Sequence, residues 1–171
     1  MTVALSQILK GSTAQAFRGL TTILTKAKAA AEAAGTADEA YLGARLFPDM
    51  NDLKWQVQMI TEFAVRGAAR MTGTAPDALP NLPMEGESFD ALLKRVSECA
   101  EKVAAADDAT IDDNATMKIT MPVGPGKTMD MDGETYVLSF FLPNLFFHVT
   151  TAYNLLRMQG VAIGKRDYMG A

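Results

Sequence analysis

The single histidine of the chain, His148, is the residue whose type points most directly to chemistry. Imidazole is the one side chain with an ordinary pKa near neutral pH, so His148 is a candidate acid, base or metal ligand. A catalytic zinc site takes three protein ligands, dominated by histidine, and the position one helical turn after His148 is Ala152. Asp49 and Asp52 are the remaining candidates for a set of three with His148, a combination that suits iron or a hard divalent metal.

Polar residues in apolar surroundings give a second hypothesis, a ligand pocket around His148. On a helical wheel Asn144 lies on the His148 side of its helix, and Tyr153 lies on the same largely apolar helix. Trp55 and Gln56 stand at the start of another predicted helix. A buried polar group without a hydrogen bond costs about 1–3 kcal/mol, so these groups bind either their neighbours or a ligand. Convergent polar groups in an apolar surround are typical of a small-molecule site, whereas the simplest alternative is a core histidine bonded to a neighbouring side chain or carbonyl.

Other motifs for catalysis are missing or incomplete. Gly126-Lys127-Thr128 resembles the end of a phosphate-binding P-loop, but Met121 replaces the glycine required five positions before Gly126. The sequence contains no GxSxG, CxxC or HExxH motif. The single cysteine, Cys99, excludes an internal disulfide and favours a reducing compartment. The sequence therefore shows no motif that would supply a catalytic nucleophile.

Length and composition predict one helical domain. The chain has 171 residues, of which 49% are hydrophobic, and a net charge of −4. One domain, residues 1–171, is the expectation at this length. The acidic balance and the lack of lysine and arginine clusters argue against nucleic-acid binding. With no uninterrupted apolar run of about 18 residues and no secretory signal pattern, we expect no membrane association and a cytoplasmic location.

Apolar residues at spacings of three and four predict three amphipathic helices ahead of His148. Each has a recognisable stop or cap, such as Gly35 after the first helix and Pro48 before the second. Gly11 and Gly19 lie inside the first helix, where they predict a close helix crossing or a bend. The predicted bounds are Val3–Ala34, Asn51 or Asp52 to Gly73, and Ser88 to Asp107.

The C-terminal third changes period twice. Alternating residues predict a β-hairpin around the turn PVGPGK, and a fourth helix then carries His148. Its apolar residues go almost all the way round, which predicts burial on most of its faces. Pro143 lies inside this helix and predicts a kink one turn before His148. The predicted strands are Met117–Met121 and Met129–Met131, the predicted helix runs from Gly133 to Gln159, and a charged tail, Gly164–Tyr168, follows it.

Two stretches of the chain resemble a known bacterial family. They are residues 42–58, LGARLFPDMNDLKWQVQ, and residues 142–170, LPNLFFHVTTAYNLLRMQGVAIGKRDYMG. From end to end, with the hairpin turn included, the chain resembles the family of unknown function DUF1993, within the DinB/YfiT-like superfamily of metalloenzymes. The resemblance implies an all-α fold, a DinB-like four-helix up-down-down-up bundle that is often a homodimer. The predicted β-hairpin would be inserted between the third and fourth helices.

The resemblance also implies a site between helices. Superfamily members that act as thiol-dependent transferases or metal hydrolases hold a metal with three histidines, one at the start of the second helix and an HxxxH pair on the fourth. In this chain the pair is reduced to His148 with Ala152, and Trp55 or Gln56 holds the second-helix position. We therefore expect the metal triad to be lost.

Three functional hypotheses stay open from the sequence. The leading one is a DinB-like protein that binds a small, partly apolar molecule in an interhelical pocket, with no cofactor. The second is a metal-dependent hydrolase or thiol-dependent transferase in which His148 and Asp49 or Asp52 hold a divalent metal such as zinc or nickel. The third is a homodimeric interaction protein without a ligand site. The residues expected to line the pocket of the leading hypothesis are His148, Asn144, Trp55, Gln56, Tyr153 and Asp49.

Overall fold

A computed structural model describes residues 3–83 and 87–171, most of which are helical. The helices are α1 (Leu5–Ala34), α2 (Asp38–Leu42), α3 (Leu53–Met71), α4 (Phe89–Ala104), α5 (Asp108–Asp113), α6 (Gly133–Thr135), α7 (Leu142–Met158) and α8 (Lys165–Met169). Strands β1 (Lys118–Gly124) and β2 (Lys127–Asp132) follow α5, and a π-helical segment, Tyr136–Phe141, joins α6 to α7. Within the described ranges, no helix combines the length and the apolar character needed to cross a membrane.

Local side-chain chemistry sets the ends of the long helices. Asp52 precedes α3, and its carboxylate accepts a hydrogen bond from the backbone N–H of Trp55 at 2.9 Å. The Ser88 hydroxyl does the same for the N–H of Ala91 at the start of α4, at 3.1 Å. Such caps satisfy N–H groups that have no partner inside the helix. Gly35 ends α1 with a φ of 62°, a left-handed conformation that glycine adopts without strain.

Three short helices, α2, α5 and α8, were not predicted. They contain five, six and five residues, which is under two turns, so apolar periodicity cannot identify them. Local caps stabilise two of them. The Asp107 carboxylate accepts from the N–H of Thr110 in α5 at 2.8 Å, and the N–H of Gly164 donates to Asp167 in α8 at 2.8 Å. The charged tail predicted after the last long helix is therefore partly helical.

The small sheet is a two-stranded antiparallel hairpin with Ile119 opposite Met131 and Met121 opposite Met129. Ile119 and Met121 are buried, while their neighbours along β1 are exposed. This is the alternation that the sequence predicts for a strand with one covered face. Both strands run closer to the turn than predicted, because residues 122–127, PVGPGK, were assigned to the turn, although Val123 continues the apolar alternation of β1.

The helix that carries His148 differs from its prediction in two ways. The backbone before Pro143 is π-helical, so the single helix predicted from Gly133, with a kink at Pro143, is divided into three pieces. Proline has no N–H to complete the α-helical ladder, and a wider turn is one way to accommodate this. Most residues of α7 are buried or half-buried, as predicted, but one face is open, where Phe147 and Met158 are 60% and 53% exposed. The helix α7 packs against α1 and α3, and its opposite face meets solvent.

The core lies between the four long helices, because α1 and α3 each pack against both α4 and α7. The short helix α8 packs on α1 where Gly19 allows a close approach. A Cβ atom at Gly19 would lie 1.9 Å from the backbone oxygen of Tyr168. The close crossing predicted for Gly11 or Gly19 is thus confirmed at Gly19, whereas a Cβ atom at Gly11 would meet open space.

Candidate functional site

The centre of the predicted site is a hydrogen bond between two long helices. Nδ1 of His148, on α7, lies 2.8 Å from Oε1 of Gln56 on α3. Both side chains are buried, at 6% and 3% exposure. Two of the residues singled out by the sequence are therefore direct partners, although they lie 92 positions apart.

Gln56 determines which ring nitrogen of His148 carries the proton. The amide nitrogen of Gln56 donates to the backbone oxygen of Asn51 at 3.2 Å, so its oxygen is the atom that faces His148 and accepts. Nδ1 therefore bears the hydrogen of a neutral imidazole, and Nε2 keeps its lone pair. Nε2 has no hydrogen-bond partner among the described residues. Every side-chain nitrogen or oxygen that is fully buried in this part of the chain does have one. Nε2 is thus the polar atom of the ring that reaches solvent.

Three aromatic rings surround the imidazole. Phe63 stacks on it with 5.6 Å between centroids and an interplanar angle of 24°. Trp55 and Phe147 meet it edge-on at 5.4 and 5.2 Å. Burial lowers the pKa of His148 from its usual 6.5 to about 4, because an apolar environment disfavours the charged form. At neutral pH the ring is a hydrogen-bond acceptor and a weak base.

Two of the predicted pocket residues are committed elsewhere. The side-chain amide of Asn144 donates to the backbone oxygen of Phe140 at 2.7 Å, one turn back on its own helix. The ring of Tyr153 meets Tyr168 of α8 edge-on at 5.9 Å. The helical wheel placed Asn144 on the correct side, but it could not show that a backbone carbonyl satisfies the amide. Tyr153 instead joins α7 to the C-terminal helix.

The predicted metal set is not assembled. Asp49 is exposed in the loop before α3, and Asp52 uses its carboxylate to cap that helix. Throughout residues 3–83 and 87–171, no three His, Cys, Asp or Glu side chains are grouped closely enough to hold a metal ion. Asp49, Asp52 and His148 therefore do not form the ligand set considered from the sequence.

A groove of about 190 Å³ adjoins this cluster through Phe63. Phe63 forms part of its wall and also stacks on His148, and Phe140 packs on Phe63 with 6.1 Å between centroids. The groove lies between α3, β1 and the π-helical segment. Its lining residues are Met59, Glu62, Phe63, Arg66, Arg70, Met121, Pro122 and Phe140.

Phe63 and Arg70, which α3 contributes to the groove wall, were not predicted from the sequence, although their spacing along the helix indicates a shared face. Phe63 follows Gln56 by seven positions and Arg70 follows Phe63 by seven. Residues seven apart lie two turns apart on the same face of a helix. A wheel centred on Gln56 would therefore have indicated Phe63 and Arg70, whereas the apolar stripe on the inner face of α3 drew attention instead.

A second cavity, of about 270 Å³ beside α4, contains none of the predicted residues. It is lined in part by Arg95 and Cys99. The guanidinium of Arg95 already donates to the backbone oxygens of Leu82 and Pro83 and to the Thr61 hydroxyl. Burial raises the pKa of the Cys99 thiol, so the reactive thiolate is scarce at neutral pH. This cavity offers neither an uncommitted arginine nor an activated nucleophile.

Comparison with known proteins establishes the family. Residues 6–169 match the family described as "Domain of unknown function (DUF1993)". The chain belongs to the DUF1993 family. A crystal structure of a DinB family member protein from Shewanella denitrificans is similar to this DUF1993 chain, with 31% sequence identity and a TM-score of 0.87. The match covers 98% of this chain and 92% of the other. A search of curated proteins found no match.

The family and the DinB-like, mostly helical fold expected from the sequence are confirmed. The donors of this DUF1993 chain do not suit the three-histidine metal site of the superfamily. Ala152 has no donor atom, and the amide of Gln56 is divided between His148 and a backbone carbonyl. A metal at this place would have one histidine nitrogen as its ligand, which is too few for a stable site.

Proposed function

We propose that this DUF1993 protein binds a small, partly apolar molecule in the groove beside His148, without a metal. The observation that carries the proposal is the position of Phe63, which stacks on His148 and forms part of the groove wall. A cavity of about 150 Å³ lined by apolar side chains holds benzene, so 190 Å³ suits one ring with a small substituent. Apolar walls with a few polar groups are typical of ligand sites.

The proposed site is shifted from the pocket expected from the sequence. Gln56 and Trp55 contact the imidazole of His148, and the imidazole stacks on Phe63, which forms part of the groove wall. Supporting groups of this kind keep a binding surface rigid and so reduce the entropy lost on binding. His148 is thus proposed as a structural support of Phe63 and not as a lining residue of the groove.

We also propose that α1, α3, α4 and α7 form a single-domain up-down-down-up bundle. The direction of each helix is inferred from contacts near its ends. These contacts make α4 antiparallel to α1, α3 parallel to α4, and α7 antiparallel to α3. The supporting contacts are Lys28 with Asp90 (2.5 Å), Asn114 with Met71 (2.9 Å), Gln56 with His148 (2.8 Å) and Arg70 with Tyr136 (3.5 Å).

A second candidate function, a homodimeric interaction protein, is supported by the exposed face of α7. Phe147 and Met158 are 60% and 53% exposed. They lie eleven positions apart, which is close to three full turns, so they share one face. Large aromatic side chains are enriched at protein–protein interfaces, which favours an interaction surface at Phe147. This surface and the groove are compatible with each other.

Ligand binding can be tested with benzamide, a neutral single-ring probe, on protein treated with a chelator. In ¹H–¹⁵N spectra we expect benzamide to shift the backbone amides of Phe63, Phe140 and Met121. Phe63→Leu removes the aromatic wall and keeps an apolar side chain, so its affinity should fall about fivefold, or about 1 kcal/mol.

The matched control is Phe47→Leu, a substitution of an exposed ring outside the groove, which should leave binding unchanged. The proposal fails if benzamide leaves the groove amides unshifted. It also fails if Phe63→Leu, folded as judged by its spectrum, binds as tightly as the wild type.

A further inference from the structure

Arg70 is a cation that lines the groove. Among the described residues it forms no ion pair, and its guanidinium donates one long hydrogen bond, 3.5 Å to the hydroxyl of Tyr136. Its carbon atom lies 6.0 Å from the centroid of the Tyr136 ring, a cation–π contact that leaves the edge of the guanidinium available. Arginine has five N–H donors, so most of them are free for another group.

The other charges of the groove cancel. Arg66 and Glu62 form an ion pair at 2.9 Å, and the second carboxylate oxygen of Glu62 accepts from the amide of Gln58 at 2.8 Å. Each oxygen of Glu62 therefore has a partner, and the ion pair with Arg66 offsets its charge. With Glu62 and Arg66 neutralising each other, the groove carries the single positive charge of Arg70, in a chain whose net charge is −4.

The apolar part of the groove lies next to that charge. Phe63 and Phe140 offer two tilted rings, and Met59 and Met121 complete the wall. Methionine side chains adapt to the shape of a guest and make favourable contacts with aromatic rings. A ligand of matching shape has one flat apolar ring and one anionic group at its edge.

We propose that the groove selects a small aromatic carboxylate. This inference rests on the ligand-binding function proposed above. The ring lies against Phe63 and Phe140, and the carboxylate accepts hydrogen bonds from Arg70. The planar fork of a guanidinium matches the two oxygens of a carboxylate. A single positive charge suits a monoanion better than a phosphate ester that carries two charges.

The test compares benzoate with benzamide, which have nearly the same shape and differ in charge. For the wild type we expect benzoate to bind at least tenfold more tightly, measured by ¹H–¹⁵N titration. Arg70→Gln should reduce this preference to about one, whereas Arg166→Gln, on an exposed arginine of α8, should retain it. Arg70→Lys keeps the charge and loses the fork, so an intermediate preference is expected, and this variant replaces Arg70→Gln if the latter does not fold.

Each other result contradicts a defined part of the argument. Equal binding of benzoate and benzamide contradicts the proposed preference for a carboxylate, but it still agrees with a ligand-binding groove. A preference for benzoate that persists in Arg70→Gln excludes Arg70 as the anchor. Tighter binding of phenyl phosphate than of benzoate contradicts the proposal that the groove prefers a monoanion. If neither benzamide nor benzoate shifts the groove amides, the binding function fails together with the inference.

Discussion

His148 has the environment of a group whose charged form is excluded. One ring nitrogen is hydrogen-bonded to Gln56, three aromatic rings surround the imidazole, and no carboxylate of residues 3–83 and 87–171 pairs with it. An isolated cation in such surroundings loses hydration that nothing replaces. The residue that most suggested acid–base chemistry in the sequence is therefore held neutral by its neighbours.

This environment makes stability depend on pH in a defined direction. The folded protein holds the pKa of His148 at about 4, below the usual 6.5, so the unfolded chain takes up a proton first as the pH falls. The stabilising contribution is complete above pH 6.5 and is lost as the pH falls towards 4. Between pH 7.5 and 4.5, the wild type should lose about 2.5 kcal/mol more unfolding free energy than His148→Gln.

Urea unfolding of the two proteins at a series of pH values measures this difference. The carboxylates titrate in both proteins, so their effect cancels in the comparison. Parallel curves for wild type and His148→Gln would show that burial does not suppress the charge of His148.

Sequence reasoning identified the partners in this cluster and misplaced others for a physical reason. Trp55, Gln56 and His148 meet because the start of α3 lies beside α7, and the sequence placed Trp55 and Gln56 at the start of that helix. Asn144 and Tyr153 do not join them, since one bonds to its own backbone and the other faces a short helix that has no periodic signal. A helical wheel shows which side a residue faces, but it does not show what lies opposite.

At the scale of elements, α8 is held on α1 by a few specific contacts. Asp167 pairs with Lys26 at 2.6 Å, and the hydroxyl of Tyr168 lies 3.1 Å from that of Thr150 on α7. These contacts require the chain of α8 to approach Gly19 so closely that no side chain fits there. The charged residues of the tail therefore belong to a docked helix, where the sequence alone predicted only a charged tail.

Two glycine substitutions in the same helix should change stability in opposite directions. Gly19→Ala places a methyl group on the backbone of α8, and overpacking of this kind costs about 1–3 kcal/mol. Gly11→Ala meets open space and should stabilise the protein by up to about 1 kcal/mol, since alanine favours a helix interior more than glycine does.

Urea denaturation midpoints of the two variants and the wild type provide the measurement. Equal stabilisation by both alanines would mean that α8 does not dock on Gly19. Equal destabilisation would contradict the open space beside Gly11.

The long elements were more predictable than the connections between them. Caps and apolar stripes placed α1, α3 and α4 within three residues of their ends. The π-helical segment escaped prediction, because Pro143 indicates a disturbed helix but does not specify which disturbance. Its consequence for the site is direct, since this segment contains Phe140, one wall of the groove.

At the scale of the whole molecule, the exposed face of α7 is the main apolar feature that the fold does not use. A stable homodimer buries about 800 Å² per partner, about a tenth of the 8856 Å² of accessible surface of the chain. Phe147 and Met158 lie about 16 Å apart along the helix, with the exposed Thr150 and Asn154 between them, a span comparable with the centre of such an interface. Aromatic side chains at interface centres contribute most to affinity.

We therefore expect sedimentation velocity to give a species of twice the 18.4 kDa chain mass. Phe147→Ser should weaken this dimer at least tenfold, since loss of a central aromatic anchor typically costs more than about 2 kcal/mol. The matched control is Met129→Ser, at an exposed apolar position on the hairpin strand β2, which should leave the dimer unchanged. A wild type that stays monomeric at every concentration would contradict the interaction surface. A dimer unaffected by Phe147→Ser would place the interface on another face. Neither result bears on the ligand groove, because the groove lies between α3, β1 and the π-helical segment.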